Sequence, residues 1–368
     1  MLNVMGEDIR LEHLREIQNR NLPVYVLGGG VYKDYIVQYL QDNHVANIKG
    51  YVVDDMYKKR NDGFITISEY VSKFARCSAL VFGIHNYKIV KKKFEDLEKT
   101  IPYLYDFRIN CVQNKLMRWN KEKIEMWLPK LNDTYAILAD NKSRRTMELF
   151  LRAAVNGEFS ELYEKCYEPI AYFNSVTNNL PVEILVDCGA FDGDDIYDFV
   201  QVYTGYEKII AIEPDEKNLI ALRKNIAANE IANVEIVPKG VSNRSGISSF
   251  LSSADAASHL SEDGDVYVQV IALDDILYKY RKSNVFIKMD IEGSEIDALI
   301  GASKFIRTFK PCLAICVYHK EDDLITIPQY IDSLVESGTY NYFLRFHGNS
   351  LSELVFYAVP TSWITVNS

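Results

Sequence analysis

Apolar positions in the first part of the chain fall in short runs separated by segments of helical spacing. "PVYVLGG" (23–29) reads as a buried strand running into glycines, and "IKGYVVDD" (48–55), "ALVFGI" (79–84) and "YLYDF" (103–107) as three more strands. Residues 6–20, "YKDYIVQYL", "ISEYVSKFA" and "NYKIVKKKFEDLEK" carry apolar residues at intervals of three and four, as helices do. Strands alternating with helices build a parallel sheet. Residues 115–165 keep helical spacing without a strand pattern. The alternation resumes at 182, with strands expected at 183–187, 208–212, 234–237, 285–290 and 312–318 and helices at 195–203, 215–229, 295–301 and 325–337. Residues 247–271 read as two strands around a polar loop, 252–265, and "YFLRFHGNSLSELVFYAVP" as a β-hairpin. The expected partition is an α/β unit over 1–110, a helical connector over 111–180 and a second α/β unit over 181–368.

Composition narrows the functional classes. A chain of 368 residues with 48% apolar content can build two cores. A net charge of −10 argues against a nucleic-acid partner, which needs a basic face. The one lysine-rich run, "KIVKKKF" (88–94), reads as a solvated helix face. No apolar run approaches the roughly 20 residues of a membrane span. The N-terminus lacks the basic and apolar segments of a secretory leader. Six cysteines without a CxxC pair suit a reducing cytoplasm and argue against structural zinc.

Two glycine loops follow strands, and they differ in charge. The first holds Gly28, Gly30 and Lys33, with Asp54 at the end of the next strand. A helix N-terminus with a nearby lysine is an anion site, so a nucleotide or nucleotide sugar is one reading. A purely steric turn is the other. His85, after the third strand, has no recognisable company in the sequence. The second loop, in "EILVDCGAFDGDDIYDF" (183–199), holds Asp187, Gly189, Ala190, Asp192 and Gly193. Glu213 then ends the next strand, where a carboxylate accepts both hydroxyls of a ribose. The site expects an adenosine-like group yet offers carboxylates where a pyrophosphate would lie. Like charges a few ångströms apart in a partly dry cleft cost on the order of several kcal/mol. This disfavours NAD and ATP. S-adenosylmethionine fits, because it has adenine and ribose, no phosphate, a cationic sulfonium and an ammonium. Asp194 and Asp195 also have a plainer reading as acids in the first turn of the following helix.

"VDCGAFDGDD", "IIAIEPDEKNLIALRKNI", "VFIKMDIEGSEIDALIGA", "PCLAICVYHKEDDL" and "LRFHGNSLSELVFYAVP", in that order, resemble the FkbM-type S-adenosylmethionine-dependent methyltransferases over about residues 135–360. The resemblance implies a seven-stranded Rossmann-like class I methyltransferase fold, a parallel sheet ending in an antiparallel hairpin. Residues 1–110 would be a smaller, appended Rossmann-like α/β domain. By position, Asp187, Gly189, Ala190, Asp192 and Gly193 would line the methionine part of the cofactor. Glu213 would hold the ribose, with Pro214 and Asp215 beside it and Val241 and Ser242 near the adenine.

Methyl transfer from a sulfonium is an in-line displacement, so alignment is most of the task. A hydroxyl acceptor also needs somewhere to leave its proton. The candidates stand at strand ends: Asp290 and Glu292 in "KMDIEGSE", and His319 in "VYHKED". His319 is the expected general base, since imidazole titrates near neutral pH. Asp290 would orient it, meet the cofactor ammonium or act as base itself, and Glu292 would bind acceptor hydroxyls. A divalent metal on the same three residues is the second reading. The chain thus reads as a cytoplasmic methyltransferase acting on a hydroxyl of a sugar, glycan precursor or natural product. The appended domain would position that acceptor. The rivals are an NAD-dependent oxidoreductase using the first loop and a non-catalytic binding scaffold. The sequence leaves the oligomeric state open.

Overall fold

The structure is a computed structural model. It describes residues 8–58, 63–84, 86–107, 121–251 and 266–364, together with residues 2, 4, 111, 112, 115, 116, 119, 259 and 260.

The N-terminal strands are β1 (Val24–Leu27), β2 (Ile48–Val53), β3 (Ile65–Thr66), β4 (Ala79–Phe82) and β5 (Leu104–Asp106). They pair in the parallel order β3-β2-β1-β4-β5. β3 is an unexpected two-residue edge whose Thr66 caps the next helix, Ile67–Lys73. Val24, Val26 and Val81 pack on one face, Leu27, Leu80 and Phe82 on the other. The lysine run lies on the helix Tyr87–Leu97. There Lys91 pairs with Glu164 at 3.0 Å, Lys93 pairs with Asp54, and Lys88 lies over the Tyr167 ring. Each is a local surface contact rather than part of a binding patch.

A two-residue ribbon, β6 (Cys111–Val112) with β7 (Lys115–Leu116), precedes three helices, Lys121–Ile137, Asn141–Asn156 and Phe159–Cys166. The second sheet begins with β8 (Ile184–Cys188), β9 (Lys208–Ile212) and β10 (Val234–Val237). A small side sheet follows: β11 (Gly240–Val241), β12 (Gly246–Leu251), β13 (His259–Leu260) and β14 (Val266–Ile271). β12 and β14 are the antiparallel pair expected at 247–271. Of the polar loop between them, 252–258 and 261–265 lie outside the described residues. β15 (Val285–Met289), β16 (Cys312–Cys316), β17 (Tyr340–Phe346) and β18 (Leu354–Pro360) complete the strands.

The large sheet has seven strands in the order β10-β9-β8-β15-β16-β18-β17. All pairs are parallel except those of the closing hairpin, where β18 runs against β16 and β17. This is the seven-stranded Rossmann-like arrangement expected. Every residue of β8, β15 and β16 is buried, as strands covered on both faces must be. Ile184, Val186 and Cys188 face one core and Leu185 the other, the two-residue period of a strand.

The helices before β8 pack on this sheet. Arg345 in β17 ties them down through Asp140 at 2.6 Å and Glu168 at 3.1 Å. The strand order reverses between β8 and β15, and such sheets bind ligands beyond the strand ends at that point.

Candidate active site

The chain leaves β8 through Gly189, whose φ is +79°. A Cβ there would stand 1.9 Å from the carbonyl oxygen of Asp290, so any side chain would drive β8 and β15 apart. Phe191, at φ +45°, and Gly193, at φ +88°, carry the loop into the helix Asp194–Val202. The Gly189 and Ala190 N–H groups both donate to the Ile212 carbonyl at the end of β9. Glu213, one residue on, is buried and accepts from the Phe191 N–H at 3.0 Å and the Asp215 N–H at 2.8 Å. Burial pushes its carboxyl above the usual range. Asp215 caps the helix Glu216–Ala228 by accepting from the Lys217 N–H. Val241 is buried and Ser242 donates its N–H to the Ile271 carbonyl.

Asp187 sits differently from expectation. It is fully buried beneath the loop, 3.0 Å from the ammonium of Lys288. Lys288 also meets Asp195 at 2.9 Å and donates to the Gly189 carbonyl. Burial opposes its charge, but Asp187 and Asp195 outweigh that and hold it protonated. One lysine thus neutralises part of the acidic loop from inside the sheet. Of the acids in the helix that follows the loop, Asp194, Asp195 and Asp198 line the open space.

That space is a cleft of about 560 Å³ at the reversal point. Gly189 and Phe191 form one wall, and Asp290, Glu292 and Tyr318 another. Ser350, Ser352 and Glu353, from the turn of the closing hairpin, lie on its rim. Asn86 of the N-terminal unit reaches the same cleft, and the neighbouring Tyr87 N–H donates to the Asn349 carbonyl at 2.7 Å.

Asp290, Glu292 and His319 come together as the sequence suggested. His319 Nε2 is 3.3 Å from Asp290 Oδ1 and 3.6 Å from Glu292 Oε2. Glu292 holds a left-handed backbone, φ +55°. His319, however, is buried behind the two acids, with Nδ1 3.0 Å from the buried Glu295. Burial alone would lower its pKa, but Glu295 and Asp290 raise it above the ordinary value. Burial disfavours the Asp290 carboxylate, yet His319 and Lys288 hold it well below the usual range. Tyr172 donates to Asp290 Oδ2 at 2.9 Å, and Tyr318 lies 3.5 Å from both Asp290 and Glu353. Burial and the Asp290 charge push Glu353 up to about 7.

Sequence reasoning missed Glu295, Tyr172, Tyr318 and Glu353. Glu295 was findable, because it opens the helix Glu295–Gly301 directly after the "MDIEG" turn. Tyr172 and Glu353 had no local signal.

In the first glycine loop the side chains make local contacts. Gly28, at φ +146°, would place a Cβ 2.2 Å from the Gly83 carbonyl oxygen, which accounts for the glycine. Lys33 pairs with Asp34 and lies 4.5 Å from the Tyr51 ring centre, and Asp54 pairs with Lys93. Gly30 is the N-cap of the helix Val31–Asp42 and makes no side-chain cap. His85 lies outside the described residues.

Residues 187–342 match the model of the methyltransferase FkbM domain. The chain carries an FkbM methyltransferase domain. Its fold is shared with a crystal structure of methyltransferase FkbM from Methylobacillus flagellatus KT, at a TM-score of 0.73 and 23% identity, covering 94% of this chain and 93% of that one. That coverage takes in the N-terminal sheet as well as the FkbM domain, so the two-sheet arrangement is not peculiar to this chain. An rRNA methylase from Streptococcus thermophilus (TM-score 0.31, 14% identity, 50% of this chain and 89% of that one) is similar only distantly. So is fibrillarin from Aeropyrum pernix, solved with S-adenosyl-L-methionine (TM-score 0.30, 11% identity, 50% of this chain and 68% of that one). Neither bears on the chemistry of this chain. No curated protein matches it in sequence. Among the described residues no helix is long and apolar enough to cross a membrane.

Proposed function

We propose that the FkbM domain transfers the methyl group of S-adenosylmethionine to a hydroxyl of a sugar, glycan precursor or natural product. One observation carries this reading. A single cleft sets the glycine loop against the Asp290–Glu292 wall, so donor and acceptor sites share one space. Glu213, buried at the end of β9, would accept the ribose hydroxyls. The methionine part would lie along Gly189, with its ammonium near the first-turn acids Asp194 and Asp195. A pyrophosphate there would meet the same acids unfavourably.

The acceptor would enter from the rim, where Asn86, Asn349, Ser350 and Ser352 offer uncharged hydrogen-bonding groups. Phe191, exposed on the cleft wall, adds an aromatic face of the kind that packs on sugar rings. In the reaction the acceptor hydroxyl passes its proton to a carboxylate lining the cleft. An oxygen lone pair forms the new C–O bond as the C–S bond breaks, and the sulfur keeps that pair as a neutral thioether. His319 acts through the acids in front of it.

Calorimetry of the full chain with S-adenosylmethionine, S-adenosylhomocysteine and NAD tests the donor site. Binding of the first two and refusal of NAD is the expected result, and the reverse removes the reading. Methyl transfer from labelled donor to a panel of nucleotide sugars and free glycosides then tests the acceptor class.

A further inference from the structure

We propose that Asp290, Glu292 and His319 form a divalent-cation site, with His319 Nε2 and one oxygen of each acid as ligands and Glu295 as the outer partner of the imidazole. The central observation is an unsatisfied nitrogen. His319 is 5% exposed, and its Nε2 makes no hydrogen bond among the described residues. It nevertheless points toward two carboxylates, at 3.3 Å and 3.6 Å. Donors about 2.1 Å from a common cation stand about 3.0 Å apart at octahedral angles and about 3.4 Å apart at tetrahedral ones. The two spacings measured from Nε2 are close to those edges.

The other ring nitrogen completes the pattern. Nδ1 lies 3.0 Å from Glu295 Oε1, which also accepts the Ile291 N–H. Metal-binding histidines characteristically donate their second N–H to a carboxylate, which fixes the tautomer and leaves the first nitrogen's lone pair for the ion. Asp290, Glu295 and His319 have donor atoms within 4.8 Å of one another. Glu295 is engaged at Nδ1, and Glu292 Oε2, 3.6 Å from Nε2, is the third ligand assigned here. Tyr172, donating to Asp290 Oδ2, leaves Oδ1 as the oxygen turned toward His319.

Nitrogen and carboxylate donors suit manganese, iron(II) or zinc. Asp290 and Glu292 line the cleft, so the remaining coordination positions would open toward the acceptor. A cation there would polarise the acceptor hydroxyl and ease loss of its proton. That purpose rests on the methyl-transfer reading of the cleft, whereas the site itself does not.

The test uses the full chain stripped with chelator and titrated with Mn²⁺ alone. Electron paramagnetic resonance follows free Mn²⁺, and S-adenosylmethionine calorimetry is run on the same sample. One Mn²⁺ per chain with a Kd below about 100 μM is expected. Glu292→Gln and His319→Ala should each weaken it at least 10-fold, and Glu295→Gln about 10-fold or more, on the scale seen for outer partners of metal-bound histidines. Glu292→Gln, at the cleft surface, should melt within a few degrees of the parent, so its loss of binding is not unfolding. No uptake at 1 mM Mn²⁺ by folded protein, or uptake untouched by Glu292→Gln and His319→Ala, overturns the proposal. S-adenosylmethionine binding without Mn²⁺ uptake removes the cation and spares the methyl-transfer reading. Mn²⁺ uptake without S-adenosylmethionine binding does the opposite.

Discussion

Replacing Lys288 by Met removes the cation that pairs with Asp187 and Asp195 beneath the glycine loop. Its ammonium is 3.0 Å from Asp187 and 2.9 Å from Asp195. Coulomb attraction to Asp187 alone is roughly 5–6 kcal/mol at an effective dielectric of 20. Much of that is offset by the cost of burying both groups, so the pair adds little over an apolar replacement. Breaking it is another matter, because Asp187 is fully buried and cannot turn to water. Leaving one partner of a buried pair unmatched costs about 3–5 kcal/mol. Asp195 is 23% exposed and can rehydrate, so its share is smaller. For a unit of this size, about 2–4 °C per kcal/mol applies, and Lys288→Met should lower Tm by roughly 6–20 °C. Asp187→Asn/Lys288→Met should recover at least half of the loss, because the amide carries no charge to strand. Thermal denaturation of the parent, both single variants and the double variant closes the cycle. A single-variant loss under about 1 kcal/mol, or a double variant no more stable than Lys288→Met, would refute the buried-charge argument.

Three further outcomes follow from the same geometry. Gly189→Ala combines a left-handed backbone with a Cβ 1.9 Å from the Asp290 carbonyl oxygen, and should cost about 3 kcal/mol by denaturant titration while weakening S-adenosylmethionine binding. Glu213→Ala strips the acceptor from the Phe191 and Asp215 N–H groups, and calorimetry should show S-adenosylmethionine binding weakened about 10- to 100-fold. His347 donates its Nδ1–H to the Glu168 carbonyl and accepts at Nε2 from the Tyr357 hydroxyl, and burial lowers its pKa to about 4, with Arg345 and Lys142 adding to the effect. An imidazole depressed below its unfolded value of about 6.5 favours the fold above that pH and is lost as a stabiliser as pH falls toward 4, a change on the order of 3 kcal/mol. The parent's Tm should therefore fall across that window more steeply than that of His347→Gln.

The chain's periodicity determined both sheets, the helices between them and the closing hairpin, because a strand buried on two faces must be continuously apolar and a half-buried helix must repeat every three to four residues. The edge strand β3 and the helices Leu273–Leu277 and Ser303–Phe309 escaped, being too short to show a period. Residue type and order marked Gly189, Glu213, Asp290, Glu292 and His319, since each sits beside a strand end that the pattern locates. Only the tertiary structure decided what those groups face. It turned Asp187 inward onto Lys288, set Glu295 behind His319, and brought Tyr172, Asn86 and Glu353 to the cleft from segments far apart in the chain. Charge acts through distance and burial, and sequence separation fixes neither. The acidic loop was legible as letters, but how much of its charge reaches the cleft was settled by a lysine one strand away.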